Sequence, residues 1–148
     1  MVALTHSTKS AKDKDIKRNW HIVDVKNKIL GRITPKITQY LIGKHKVNYV
    51  PYLDFGDNVV VINAKHVKIS GKKKSQKLYK SYSGYPGGLK EITFGNLIEK
   101  NPGAIIKHAV LGMLPKNKLK DKRIARLHIY ADEKHPYKLE ILNYAEKN

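Results

Sequence analysis

The stretch "NVVVINA", residues 58–64, is an almost unbroken apolar run bounded by turn-forming residues. Runs of this length and composition are typical of a strand that is covered on both faces, as the inner strands of parallel sheets are. Two parallel neighbours need a long crossover between them, which is usually a helix. The residues that precede this run therefore decide the fold.

Those preceding residues contain a strand signal followed by a helix signal. The stretch "WHIVDV", residues 20–25, has the β-branched and aromatic composition of a buried strand. Strand, helix and strand in this order predict a parallel pair joined by a right-handed crossover. The apolar side chains of "NKILGRITPKITQYLIG", residues 27–43, recur at helical spacing, on one stripe that comprises Ile33, Ile37, Tyr40 and Leu41.

Three residues predict where this helix begins and ends. Proline lacks an amide hydrogen and fits best in the first turn of a helix, so Pro35 predicts a start close to itself, with Thr34 as the cap. Gly43 tolerates the left-handed backbone that commonly ends a helix, and it predicts the C-terminal end.

The rest of the chain continues the alternation of strands and helices. Together the segments predict a single α/β domain, residues 19–148, with a small parallel sheet flanked by helices. The predicted segments are a short strand at "VKIS" (67–70), helices at "TFGNLIEKN" (93–101), "PGAIIKHAVLGML" (102–114) and "KNKLKDKRIA" (116–125), and a last strand at "RLHIYA" (126–131).

The composition restricts the partners of this domain. Lysine and arginine number 30 against 12 acidic residues, which gives a formal net charge of +18. Such a charge repels itself and is tolerated mainly beside a polyanion. The chain has no cysteine, which excludes disulfides and thiolate chemistry and suits a reducing compartment.

The first residues indicate the compartment. They lack the apolar segment of a secretory signal, and they contain Asp13 and Asp15 with Arg18 as their one arginine, unlike an organellar transit peptide. We expect residues 1–18 to form a flexible basic extension and the protein to be cytoplasmic, an organelle being the less favoured alternative. No apolar run is long enough to span a membrane.

The positive charge is concentrated in three segments. Residues 58–90 contain eight lysines and no acid, and "SGKKKSQKLYKSY", residues 70–82, interleaves five of these lysines with Tyr79 and Tyr82. Lysines neutralise phosphates, while tyrosines stack on unpaired bases. The other two segments are "GKHKVNYVPYLDFGD" (43–57) and residues 116–126. The three segments favour a nucleic-acid partner over an ordinary solvated surface.

Signals for an enzyme are weak. The phosphate-binding patterns G-x-G-x-x-G and G-x-x-x-x-G-K-[ST] do not occur, and the seven histidines show no short metal-ligand spacing, so we expect no cofactor and no metal. We expect His108 and His128 to serve packing or RNA contact. Asp54 and Asp57 leave two interpretations open, paired carboxylates for acid–base catalysis or, as we favour, residues that shape turns beside Gly56.

Several motifs resemble one family, the bacterial-type L13 proteins of the large ribosomal subunit. They are "GKHKVNYVPYLDFGDNVVVINAKHVKISGKK" (43–73), "SGYPGGLK" (83–90) and "AVLGMLPKNKL" (109–119), with "WHIVD" (20–24), "LGR" (30–32) and "HP" (135–136) in support. The resemblance covers residues 19–137. It implies a three-layer α/β/α fold with a four-stranded, mostly parallel sheet.

The resemblance also implies a structural function without catalysis. The expected partners are large-subunit ribosomal RNA, bound early in assembly, and neighbouring ribosomal proteins, with no membrane and no small-molecule substrate. The alternative is a free RNA-binding regulator of a messenger RNA. In "SGYPGGLK", we expect the glycines to let the backbone approach RNA, with Tyr85 for stacking; the less favoured alternative is that they only serve turns with positive φ.

Charge, aromatic content and the resemblance together predict an RNA-binding set on one rigid platform. Its members are Arg32, Lys36, Lys44, His45, Lys46, Tyr49, Lys72, Lys73, Lys74, Lys77, Tyr79, Lys80, Tyr82, Tyr85, Lys90, Lys107, Lys116, Lys118, Lys120, Lys122 and Arg123.

Overall fold

A computed structural model describes residues 11–137, in which strands and helices alternate as an α/β chain should. The strands form two separate sheets. In chain order the elements are β1 (Trp20–Asp24), α1 (Leu30–Ile42), β2 (Asn58–Ile62), α2 (Lys73–Gln76), β3 (Leu78–Tyr82), β4 (Leu89–Thr93), α3 (Phe94–Lys100), α4 (Pro102–Met113), α5 (Lys120–Ala125) and β5 (Leu127–Ile129), with 3₁₀ turns at Asp13–Asp15 and Ala64–His66.

The main sheet has three parallel strands in the order β1-β2-β5. The central position of β2 confirms the prediction from its apolar run, because Val59, Val60 and Val61 are all fully buried. Strand β1 also lies where the sequence predicts a strand. It forms an edge of this sheet, however, and Ile22 on it is exposed rather than buried.

The core lies on one face of this sheet. Alternate residues of a strand point to opposite faces, and Val59 and Val61 share the core with the predicted apolar stripe of α1. Helix α4 contributes Ile105, Ile106 and Val110 to the same cluster. The stripe of α1 that the sequence predicts is therefore a face that covers the sheet. Helical spacing likewise predicts an inner face of α4 made of Ile105, Ile106, Ala109, Val110 and Met113, and it is correct except for Met113, which is 45% exposed.

The opposite face carries an aromatic cluster. Val60 points to this side and is in register with His128, whose ring stacks on Trp20 with 5.8 Å between centroids. The ring of Tyr137 lies 4.8 Å from Trp20 and 4.7 Å from His128. The prediction that His128 serves packing is consistent with this position.

Helix α1 begins earlier than predicted. It starts at Leu30, five residues before Pro35, so the proline lies inside the helix, while Thr34 donates its hydroxyl to the Leu30 carbonyl at 2.7 Å instead of capping. The Leu30 amide donates to the carbonyl of Lys68 at 2.8 Å, and this contact with a distant segment holds the early start. The predicted end is confirmed, since Gly43 has a φ of 85°.

One further prediction needs correction, one pair of strands was not predicted, and three predicted helices are confirmed. Residues 67–70 form a single parallel bridge, from Ile29 to Lys68, and not the predicted third strand. The segment around the glycine loop forms the antiparallel pair β3-β4, which the sequence did not predict. The predicted helices after this loop are present as α3, α4 and α5, with Pro102 in the first turn of α4.

The α/β prediction is confirmed at the level of class. Residues 11–137 supply three parallel strands, and the four-stranded sheet implied by the resemblance stays a prediction. Residues 1–10 of the predicted N-terminal extension lie outside the described residues, whereas residues 11–18 contain one short 3₁₀ turn. Within the described part, no helix is long and apolar enough to cross a membrane.

Candidate nucleic-acid interface

The loop of residues 43–57, between α1 and β2, is organised around the buried carboxylate of Asp57. Its Oδ2 lies 2.8 Å from Nε2 of His21 and 2.9 Å from Nε2 of His45, while its Oδ1 contacts the ammonium of Lys46. The backbone amide of Asn19 donates to Oδ1 at 3.0 Å. Three side chains and one amide thus converge on one carboxylate.

The charge of Asp57 is compensated inside the protein. Burial raises the pKa of this carboxyl, but the hydrogen bonds with His21 and Lys46 lower it more, so that the pKa lies below its ordinary value. Asp57 is therefore ionised at neutral pH. A buried anion that accepts four contacts is a structural anchor and not a poised general base.

The two histidines are held by aromatic packing. The His21 ring stacks on Tyr40 with 4.2 Å between centroids and 9° between planes, and His45 meets both rings edge-on. One ligand-type atom from each of His21, His45 and Asp57 lies within 4.8 Å of the others. Hydrogen bonds and the Lys46 ion pair account for this arrangement. The expectation that the chain binds no metal stays a prediction.

Asp54 anchors the other end of the loop. Its two carboxylate oxygens each accept a hydrogen bond of 2.6 Å from the guanidinium of Arg126, and Nε of Arg123 lies 3.5 Å from Oδ1. Burial raises the pKa of Asp54, but hydrogen bonding and the charges of Arg126 and Arg123 lower it more. This bidentate geometry ties the loop to the segment that leads into β5.

Neither sequence interpretation of these two acids is correct. Asp54 and Asp57 are not a catalytic pair, and their partners are not the local backbone groups of a turn. Gly56 between them is required for space, since a Cβ there would lie 2.0 Å from the Leu41 carbonyl oxygen. The signal available in the sequence is that both acids follow a long acid-free stretch and sit beside a glycine.

This anchoring turns several predicted RNA contacts inward. The side chain of Lys46 is 16% exposed, and its ammonium also donates to the carbonyl oxygens of Lys17 and Phe55. Arg123, another member of the predicted RNA-binding set, is buried, with 1% of its surface exposed. His45 is held on Asp57 and Tyr49 is half-buried, whereas Lys44 remains exposed. The charge pattern did not distinguish these inward cations from surface ones.

The lysine-rich segment at 70–82 has the opposite arrangement. Lys72, Lys73 and Lys74 surround the start of α2, all exposed, and none has a carboxylate partner within residues 11–137. Lys77 lies over the ring of Tyr79, 5.1 Å from its centroid. This segment presents its positive charge to solvent, as the sequence predicts.

Strands β3 and β4 form a hairpin with two different faces. Tyr79, Ser81, Lys90 and Ile92 share one face, on which Tyr79 lies against His108 of α4, 5.7 Å between centroids. Burial there raises the pKa of Tyr79. The other face, defined here as the outer face, consists of Leu78, Lys80, Tyr82, Leu89, Glu91 and Thr93, and Lys80 and Glu91 form an ion pair of 2.7 Å on it.

The tip of the hairpin is the glycine loop. Gly84 and Gly87 have φ values of 89° and 72°, and the Gly88 amide donates to the Tyr85 carbonyl at 2.9 Å. Positive φ explains two of the glycines as turn residues. Tyr85 is 75% exposed at the tip, where the predicted stacking on RNA stays a prediction.

The remaining predicted residues lie on helices and on the third basic segment. Arg32 and Lys36 are exposed one turn apart on α1, and they line a shallow cleft of about 230 Å³ with His21. A second cleft, of about 340 Å³, brings Lys44 and Tyr49 beside Asn117 of the third segment. Among the other members, Lys107, Lys116, Lys118 and Lys122 are exposed and Lys120 is half-buried.

Fold and surface together define a class, the small basic α/β proteins in which acids of a loop are paired internally and a lysine-rich segment is exposed. Comparison with known proteins identifies the family within this class. The chain belongs to the ribosomal protein L13 family, whose sequence model matches residues 18–136. The resemblance inferred from the motifs is therefore confirmed.

Individual relatives are similar over nearly their whole length. The chain is 49% identical over 137 residues to a protein of Caldanaerobacter subterraneus subsp. tengcongensis. The aligned region covers 88% of this chain and 96% of the relative. It is 45% identical over 137 residues to a protein of Clostridioides difficile, covering 90% and 96%. Both relatives are named large ribosomal subunit protein uL13.

Proposed function

We propose that this protein is a structural constituent of the large ribosomal subunit, which binds large-subunit ribosomal RNA and supports early subunit assembly without catalysing a reaction. The observation that carries the proposal is the L13 family fold with an exposed, acid-free lysine segment around α2. The internal pairing of Asp54 and Asp57 further supports it, because these carboxylates are tied to cations of the protein and do not oppose an RNA phosphate.

The proposed mechanism is recognition of the RNA backbone by a rigid platform. The main sheet, together with helices α1 and α4 packed on its core face, forms the rigid platform. Exposed lysines on this platform neutralise phosphates of folded RNA helices. Burial leaves Arg123 and Lys46 as anchors within the platform. Apart from Lys80, which is paired with Glu91, the remaining exposed cations of the predicted set are the proposed phosphate contacts, with Lys72, Lys73 and Lys74 at their centre.

The surroundings proposed for the protein follow from this function. It acts in the cytoplasm as part of the ribosome, beside neighbouring large-subunit proteins and without a small-molecule substrate. Residues 19–148 act as one domain, built on the four-stranded, three-layer fold that the resemblance implies. The basic extension of residues 1–18 adds charge to the RNA-binding surface.

Sedimentation of cell lysates tests the proposal. Lysate from the source cells is run through sucrose gradients at moderate and at high salt, and the chain is quantified by mass spectrometry in each fraction. We expect one copy per large subunit, retained after the high-salt wash. Presence in light fractions alone would overturn the proposal and favour a free regulator of a messenger RNA.

A further inference from the structure

The outer face of the hairpin differs from the rest of the surface in its apolar content. Leu78 is 44% exposed, Tyr82 is 65% exposed and Leu89 is 54% exposed. Tyr82 and Leu89 are directly opposite across the two strands, so that their side chains are neighbours. Leu78 lies on the same face, on the other side of the Lys80–Glu91 pair. Large apolar side chains that adjoin on an exposed face, as Tyr82 and Leu89 do, indicate an interaction surface more strongly than scattered ones.

The charge of this face is also unlike that of the protein. The chain carries +18 overall, and residues 58–90 contain no acid. On the outer face, however, Glu91 pairs with Lys80 at 2.7 Å, and the face has no other charged member. The face is therefore neutral, and it offers a polyanion neither free cations nor the release of counterions that drives phosphate binding.

The exposure of this face is not the result of a loosely placed hairpin. A two-stranded hairpin alone is at best marginally stable, and this one is supported through its other face, where Tyr79 packs against His108. The Phe94 amide at the start of α3 donates to the Lys77 carbonyl at 2.9 Å, which fixes the base of the hairpin. The apolar groups on the outer side are thus held in place with their surface open.

We propose that the outer face docks an apolar, uncharged surface of a neighbouring large-subunit protein, while the tip residue Tyr85 and the lysines around α2 face ribosomal RNA. The inference rests on the proposed function and identifies the surface that meets one of the neighbouring proteins. It also reassigns Lys80 and Tyr82, two residues predicted from sequence to contact RNA. The outer face has no net charge, which suits contact with an uncharged protein surface. Contact with apolar groups would remove its exposed leucines from water, which is favourable.

Site-specific photo-crosslinking in large subunits tests the inference. The photoreactive residue p-benzoylphenylalanine replaces Tyr82 in one variant and Tyr85 in a matched control, a similar tyrosine a few residues away at the tip. After a high-salt wash and irradiation, the Tyr82 probe should crosslink to a single large-subunit protein, and the Tyr85 probe to ribosomal RNA.

Each other outcome overturns the inference. A Tyr82 probe that crosslinks to RNA shows that the face is part of the RNA interface, and crosslinking to a second copy of this chain shows a dimer contact. A Tyr82 probe that does not crosslink, in subunits where the Tyr85 probe does, shows that the face is open. Failure of both variants and of the unmodified chain to enter large subunits refutes the proposed function itself.

A paired substitution gives an independent readout. Leu78→Gln with Leu89→Gln keeps the charge of the face and removes its apolar groups. Loss of this burial should weaken retention in the subunit after the salt wash by about tenfold, while the affinity of the free protein for ribosomal RNA fragments and its thermal melting stay unchanged. Reduced affinity for the free RNA fragments, with normal melting, would instead assign the face to RNA.

Discussion

The loop of residues 43–57 and the segment of residues 70–93 both contain lysines and tyrosines, yet the structure uses their charges in opposite ways. In the loop, the buried carboxylate of Asp57 contacts the side chains of Lys46, His45 and His21. In the second segment the one acid, Glu91, is exposed and pairs with a single lysine, so that Lys72 and its neighbours stay on the surface. The two regions differ in that the acid of the loop is buried, whereas the acid of the second segment is exposed.

Desolvation explains why one acid reorganises a whole loop. A carboxylate without water must be surrounded by donors, because an unpaired buried charge is very costly. Asp57 is fully buried and is contacted by three side chains and one backbone amide, whereas Glu91 is exposed and pairs with a single lysine. The difference in burial thus decides which lysines remain for an external partner.

The largest expected effect comes from Asp57→Asn. The substitution leaves Lys46 without its buried partner, and breaking a buried pair in this way costs about 3–5 kcal/mol of the free energy of unfolding. Urea unfolding of the variant and the unmodified protein measures it. A loss below about 1 kcal/mol, the value typical of exposed pairs, would show that the loop is not anchored by this carboxylate.

The same carboxylates predict the pH dependence of stability. Asp54 and Asp57 have pKa values below the ordinary 3.8, so the unfolded chain binds protons more readily than the folded one. Their stabilisation is fully present above the unfolded pKa and is lost as pH falls through the folded pKa. Urea unfolding at a series of pH values should show this acid loss, and Asp57→Asn should reduce it. An equal acid loss in the variant would contradict the assignment to Asp57.

In the second segment, the triple change Lys72→Ala, Lys73→Ala and Lys74→Ala should affect RNA binding but not folding. If each lysine meets one phosphate, the slope of log affinity against log salt should become shallower by up to about 3. Filter binding to ribosomal RNA fragments at several salt concentrations measures the slope, with thermal melting as the control for folding. An unchanged slope with normal melting would remove these lysines from the interface.

The smallest effect is expected for Glu91→Gln, the exposed counterpart of Asp57→Asn. The Lys80–Glu91 pair lies on the surface, where such pairs contribute less than about 1 kcal/mol to the free energy of unfolding. Urea unfolding of the Glu91→Gln variant and the unmodified protein measures this loss in the free energy of unfolding. A loss as large as that of Asp57→Asn would show that burial does not separate the two regions.

The candidate site was only partly readable in the sequence. The exposure of Lys72, Lys73 and Lys74 agrees with the prediction, because no acid lies nearby along the chain to pair with them. Lys46 and Arg123 carried the same signal but have partners that the sequence does not reveal. The apolar side of the hairpin also escaped prediction, since the pairing of β3 with β4 assigns its residues to faces.

The sequence by itself determined the α/β class, the apolar faces of α1 and α4, the buried central strand and the family. These depend on local periodicity, on turn residues such as Gly43, and on motifs that are continuous in the chain. Only the tertiary structure decided the early start of α1, the two faces of the hairpin and the inward direction of certain cations. These features depend on contacts between residues that are far apart in the sequence. His21 and Asp57 are separated by 36 positions, and Asp54 and Arg126 by 72. No local pattern encodes which distant residues will meet, because that choice is made by packing and by the desolvation of buried charge.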